Sequence, residues 1–231
     1  TQRLPGVSIQ RDQGEGRYVL VRGTEARLNS MMLNGERLPS PEGDIRNVAL
    51  DVIPADLLSS IEVSKALTPD MDADAIGGAV NLVLKNAPAK PMWNARLNMG
   101  YNEISEKTMQ SGSVTYGQRF ADGDVGLIFG ASYFNTDRGS DNFEVEYDDG
   151  ELDDLQFRDY TINRKRYGFS AAMDAKLSDA SEFKLTGMYN RFDDQEYRRR
   201  TRARLGNERM EKELKDRFES QTIYSIKSQF K

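Results

Sequence analysis

From Trp93 onward the chain alternates, and no other feature limits its fold so tightly. Over 93–101 the odd positions hold Trp93, Ala95, Leu97, Met99 and Tyr101, against Asn94, Arg96, Asn98 and Gly100. Over 125–133 the odd set is Val125, Leu127, Phe129, Ala131 and Tyr133. Tyr167, Phe169, Ala171, Met173, Ala175 and Leu177 repeat the pattern. Successive side chains of a strand point to opposite faces, so this period of two means strands with one apolar face and one polar or small face. Further strands are expected near 108–120, 181–193 and 218–231. Tight turns are expected at 121–124 and 178–181, and long charged loops near 137–160 and 193–217. Short connections on one rim and long ones on the other suit an up-and-down transmembrane barrel. Aromatics near strand ends, such as Trp93, Tyr101 and Phe120, fit its interfacial girdles. Alternating strands with glycine also build soluble sandwiches. Six strands fall short of the roughly eight that the smallest such barrels need. The chain also stops inside an apparent strand, so it reads as a piece truncated at both ends.

Composition removes several kinds of function. The 231 residues include no cysteine and no histidine. Disulfides, Cys/His zinc sites and imidazole triads are therefore excluded. A net charge of −5, from 32 basic and 37 acidic residues, is no footprint of a nucleic-acid binder. No apolar run approaches the roughly 20 residues of a transmembrane helix, although strands that cross a membrane escape that test. No initiator Met or signal peptide opens the chain at Thr1. With no nucleophile–base pair, metal set or cofactor loop, the chain is not expected to be an enzyme or to carry a cofactor.

Residues 1–88 differ in character from 92–231. Tyr18–Arg22 and Arg27–Leu33 read as strands, the second closed by the Asn34-Gly35 hairpin signal. Pro54-Ala-Asp-Leu-Leu suits a short helix with proline in its first turn. Residues 60–65 and 78–85 read as further strands. Residues 86–91, with two prolines, read as a linker.

Three segments occur here in order: YVLVRG at 18–23, MMLNGERL at 31–38 and IPADLLSSIEVSKALTPDMDADAIGGAVNLVLK at 53–85. Together they resemble the plug domain of TonB-dependent outer-membrane receptors. The wording TPDMDADAIGG resembles a branch found in Caulobacter- and Xanthomonas-like bacteria. The resemblance implies a mixed α/β plug domain over 1–88 and, over 92–231, antiparallel transmembrane β-barrel strands from a plugged barrel of about 22 strands. It implies active import of a small nutrient across the outer membrane of a Gram-negative bacterium. TonB, with ExbB–ExbD, would pull on a segment upstream of residue 1. Outer-membrane lipid and lipopolysaccharide would surround the wall, and no nucleic acid is involved. Loops 102–107, 137–160 and 193–217 would be external. The branch favours an oligosaccharide; an iron chelate is the alternative cargo. From another class, the chain could be a soluble calcium-binding surface module.

Candidate residues follow. Arg37, Ser40 and Glu42 would meet substrate from the plug, with Phe143, Tyr147 and Asp148 from an external loop, where aromatic faces and carboxylates suit a sugar. Arg22, Gly23, Gly35, Glu62, Gly77 and Gly78 carry the structural motif of the plug. The resemblance has Arg22 face acidic groups, and Glu62 is a candidate buried partner for an arginine. The glycine pair is no phosphate cradle, since neither GxxxxGK[ST] nor GxGxxG surrounds it. It is expected to turn the chain into strand 79–85. Asp70, Asp72 and Asp74 begin like an EF-hand loop, but its sixth and twelfth positions hold Ala75 and Asn81, so no metal is expected. Nine acidic residues in 141–159 and five arginines in 198–204 leave two readings. The arginines hold an anionic ligand, or they pair with the acidic segment or with lipopolysaccharide phosphates.

Overall fold

The structure is a computed structural model that describes residues 4–12, 15–40, 47–66, 68–69, 71, 75–206 and 208–231. Glu42, Asp70, Asp72 and Asp74 lie outside the described residues. The strands are β1 (Val7–Asp12), β2 (Glu15–Val21), β3 (Asn29–Leu33), β4 (Glu36–Arg37), β5 (Leu58–Ser64) and β6 (Gly78–Leu84). They continue as β7 (Met92–Asn102), β8 (Lys107–Phe120), β9 (Val125–Asp148), β10 (Glu151–Ser178), β11 (Ser181–Arg204) and β12 (Arg209–Phe230).

The N-terminal part holds two sheets. β1 and β2 pair as an antiparallel hairpin, and β4-β3-β6-β5 form a four-stranded sheet in which β3 and β6 run parallel. β6 reads GAVNLVL and is buried at five of its seven positions, as expected of a central strand covered on both faces. Val21, Val52, Leu57, Val80 and Leu82 make up the centre of the core. The helix expected at Pro54 is only a 3-10 turn, Ala55–Leu57. Three residues cannot repay the cost of a helical nucleus, and the strand LSSIEVS begins at once. Among the described residues of the N-terminal part, the helical turns are all 3-10 turns, and they join the strands.

β7 to β12 form one antiparallel sheet in chain order, here called the wall. Register fixes its faces. Outward run Trp93, Tyr116, Phe129, Ala171 and Gly187 across successive strands; inward run Gly117, Ile128, Ala172, Thr186 and Lys227. The outward side of 125–133 spans nine residues, a membrane-crossing length for a tilted strand.

The long loops expected at 137–160 and 193–217 are instead strand. β9 runs unbroken to Asp148 and β10 starts at Glu151, joined through Asp149 and Gly150, both at positive φ (47° and 87°). Positive φ at both central residues is the twist-matched hairpin turn that Asp-Gly favours. β11 likewise runs on to Arg204, and β12 starts at Arg209. The charged stretches hide this because the outward face turns polar over Asn135–Asp141 of β9 and Asp159–Lys165 of β10, so alternation of hydropathy lapses there while alternation of direction persists.

Candidate functional site where the plug meets the wall

The inner face of the wall changes with height. At the level of the N-terminal core it is small. A Cβ on Gly168 would lie 2.7 Å from Pro54 Cγ and 2.9 Å from Leu57 Cδ1, so glycine is what lets the 3-10 turn press against the strand. The apolar side chains Met188, Phe192 and Ile223 of β11 and β12 join the N-terminal core directly. Asn190, fully buried, donates from Nδ2 to the Val52 carbonyl. Lys227 donates to the Asn34 carbonyl at 2.8 Å and pairs with Glu36 at 2.9 Å. Lys85 donates to the Asp56 carbonyl (2.5 Å) and to Thr115 Oγ1 (3.2 Å), and Arg96 reaches Asp56 at 3.0 Å.

Above this seat the wall turns cationic. Glu15, at the start of β2, points into three wall arginines: Arg138 at 2.6 Å, Arg164 at 2.8 Å and Arg166 at 2.5 Å. Arg164 and Arg166 are buried, with side chains only 3% and 9% exposed. Asp194 takes the Nε of Arg164 at 3.0 Å and Arg217 at 3.0 Å. Arg217 also reaches Glu196 (3.1 Å) and Glu219 (3.2 Å), and Lys215 reaches Glu196 (3.2 Å). The guanidinium of Arg166 sits 4.9 Å from the Phe134 ring centre and 5.0 Å from that of Phe192. Burial alone would raise the Glu15 pKa; hydrogen bonds and charge from Arg166, then Arg138 and Arg164, outweigh it and hold the carboxyl below its ordinary range. One carboxylate of the N-terminal domain thus neutralises part of a buried cationic shelf of the wall.

Higher still, the alternation sorts the arginine run. Arg198, Arg200, Arg202 and Arg204 face inward, and Arg199 faces outward. The inward arginines meet carboxylates: Arg198 (2.8 Å) and Arg200 with Glu213, Arg202 with Asp154, and, from β10, Arg158 with Glu144. Pairing with the neighbouring acidic segment therefore describes them better than a free cationic patch. The buried Nε atoms of Arg198, Arg200 and Arg204 nevertheless find no acceptor among the described residues.

The expected substrate residues do not gather into one site. Phe143, Tyr147 and Phe157 lie on the outward face, away from the N-terminal domain, while Asp148 ends β9 at its turn. Arg37 and Ser40 follow the Asn34–Glu36 turn, which meets the wall at Lys227. Lys227 shares a register row with Ile128, and Phe143 stands fifteen residues further along β9, about 50 Å of strand. Arg22 has positive φ (55°) and faces no acidic group in its hydrogen bonds; it donates to the Gly77 and Ile76 carbonyls at 3.2 and 3.1 Å. Glu62 is exposed and accepts from Asn81 Nδ2 at 3.0 Å, not from an arginine. Gly23 and Gly35 close turns at positive φ. A Cβ on Gly78 (φ 152°) would lie 2.8 Å from the Ser64 carbonyl, and β6 begins there, as expected of the pair Gly77-Gly78. Glu15 was not foreseen. Its only sequence signal is a carboxylate opening a strand that is otherwise half-buried.

Residues 1–79 match the family model described as TonB-dependent Receptor Plug Domain. No curated protein matches significantly. Among solved structures, the chain is similar to the siderophore receptor PirA from Acinetobacter baumannii, with a TM-score of 0.51 and 13% identity over 99% of this chain and 45% of that one. It is also similar to a mutant ferric enterobactin receptor, PfeA, from Pseudomonas aeruginosa, with a TM-score of 0.50 and 12% identity over 97% of this chain and 42% of that one. The chain spans less than half the length of these structures. At such identities the likeness establishes the fold: a plug seated against the strands of a plugged barrel.

Proposed function

We propose that this chain supplies the plug and part of the wall of an outer-membrane transporter that imports an anionic iron chelate, driven through TonB. The observation that carries the reading is Glu15 caged by Arg138, Arg164 and Arg166. To the apolar seat at Met188, Phe192 and Ile223 it adds ionic hydrogen bonds that can be exchanged. A plug held in this way can close the lumen at rest and give way when pulled. TonB, with ExbB–ExbD, is the partner this reading requires, acting on a segment upstream of residue 1. Lipid and lipopolysaccharide would cover the apolar outer face.

The cargo reading rests on the upper inner wall. The inward arginines there, held by Glu213 and Asp154, suit a ligand whose anionic oxygens take over from those carboxylates. The two similar structures are named as a siderophore receptor and a ferric enterobactin receptor, which agrees with that chemistry. An oligosaccharide has less support, because Phe143, Tyr147 and Phe157, the aromatics that would stack on a sugar, face outward.

The test is uptake by cells making the full-length receptor. Radioiron chelates and labelled oligosaccharides would be compared, with TonB present and deleted. Iron uptake that disappears without TonB is expected. Uptake of oligosaccharide alone would overturn the cargo, and uptake indifferent to TonB would overturn the coupling.

A further inference from the structure

The arginines around Glu15 are also held by groups of the wall itself. Asp194 takes the Nε of Arg164 at 3.0 Å, and the Phe134 and Phe192 rings flank the Arg166 guanidinium at 4.9 and 5.0 Å. Arg138 donates from Nε to Thr136 Oγ1 at 3.4 Å. Register gives the reason. Phe134, Arg166 and Phe192 stand in one row across β9, β10 and β11, and Arg164 stands in the next inward row, between Thr136 and Asp194. Wall residues thus preorganise three guanidinium groups toward one point, which Glu15 fills with two oxygens. One oxygen accepts from Arg138 at 2.6 Å and from Arg166 at 3.3 Å. The other accepts from Arg164 at 2.8 Å and from Arg166 at 2.5 Å. Arg166 therefore grips both oxygens, with the fork that a guanidinium offers to any carboxylate or phosphate.

A cavity of about 370 Å³ adjoins this cage, room for about a dozen waters. Glu15 and Arg166 line it, with Ser111, Ser132, Phe134 and Asp56. Asp56 is already paired with Arg96 at 3.0 Å. The Ser132 hydroxyl is buried and finds no partner among the described residues, and Ser132 stands in the row next to that of Arg166. The cavity thus offers an unused donor beside an arginine whose acceptor belongs to the plug. Withdrawing Glu15 with nothing in its place would leave buried arginines short of a carboxylate, which is costly. An oxyanion that enters through the cavity removes that cost. We propose that Arg138, Arg164 and Arg166 form a second anion site, below the inward arginines of the upper wall. There a carboxylate-type oxyanion of the cargo takes the place of Glu15, so that arrival of cargo and release of β2 from the wall are one exchange.

Exchange by cargo rests on the reading of an anionic chelate, but a small dicarboxylate tests the site without transport. Purified full-length receptor would be titrated with succinate. The neutral diamide, succinamide, and sodium chloride at equal ionic strength serve as controls. In wild type the resident carboxylate must be displaced, which weakens the apparent affinity. Glu15→Ala should therefore bind succinate at least about tenfold more tightly than wild type by calorimetry. Binding at the upper arginines is the same in both proteins, so the gain belongs to the shelf. Adding Arg138→Gln should cancel it; Arg138 is the most exposed of the three, so the buried pair stays in place. In wild type, succinate should also lower amide protection in β2 and not in β9, and neither control should do so. Equal succinate binding by wild type and Glu15→Ala overturns the proposal. So does β2 protection that is unmoved by succinate, or that falls as far with sodium chloride. Failed iron uptake with the exchange intact would count against the transport reading alone.

Discussion

Glu15 shows how much one carboxylate can decide. Without it, Arg138, Arg164 and Arg166 would lose the one carboxylate that all three reach at 2.8 Å or less. Breaking one partner out of a buried ion cluster typically costs about 3–5 kcal/mol. Glu15→Gln should therefore loosen the plug, read as faster amide exchange in β2 with little change in β9; unchanged exchange would refute the role. The sign with pH follows from the depressed Glu15 pKa. The contribution is present above the ordinary carboxylate range and lost as pH falls through the lower folded value. Protection of the β2 amides, taken relative to the intrinsic exchange rate at each pH, should be level between about pH 6 and 8 and fall only in acid below the usual glutamate range; Glu15→Gln should remove that acid limb. The role of Glu15 could not be read locally, because its partners lie up to 151 residues away in sequence. Arg22 and Glu62 stand out in the sequence, but their partners do not. A backbone carbonyl and an asparagine look like nothing in a sequence.

Elements were easier to foresee than their lengths. The strands around Tyr18–Arg22 and Gly78–Lys85, and all six strands of the wall, follow from local pattern. The upper wall reads as loop in the sequence because its inward face is charged and its outward face on β9 and β10 is polar for eight residues, Asn135 to Asn142 being the clearest run. Amides across 137–160 should accordingly be protected as strand amides are, outside the turn at Asp149-Gly150; fast exchange throughout would restore the loop. The wall also needs room at the seat. Gly168→Val would drive a branched side chain into Pro54 and Leu57. Overpacking of this kind costs about 1–3 kcal/mol. Limited proteolysis should then cleave the plug faster in this variant than in wild type, with the wall strands still resistant.

For the whole molecule, the plug-and-wall architecture was legible, and the place where cargo would be met was not. Period two announced the wall, and three ordered segments announced the plug. The residues picked for binding were chosen by chemical type alone. Strand direction then sent Phe143 and Tyr147 outward and Arg198 and Arg200 inward, which composition cannot show. Import in this scheme requires the plug to leave its seat. A disulfide across the seat tests that most directly, since the chain has no cysteine of its own. Pro54→Cys with Gly168→Cys places the two Cβ atoms within bridging reach, given the 2.7 Å approach to Pro54 Cγ. Radioiron chelate uptake would be measured in the oxidised and reduced states of the full-length double variant. The oxidised receptor should bind chelate at the cell surface but not import it, and reduction should restore import. Import at the wild-type rate with the disulfide intact would contradict a plug that must move away from the wall.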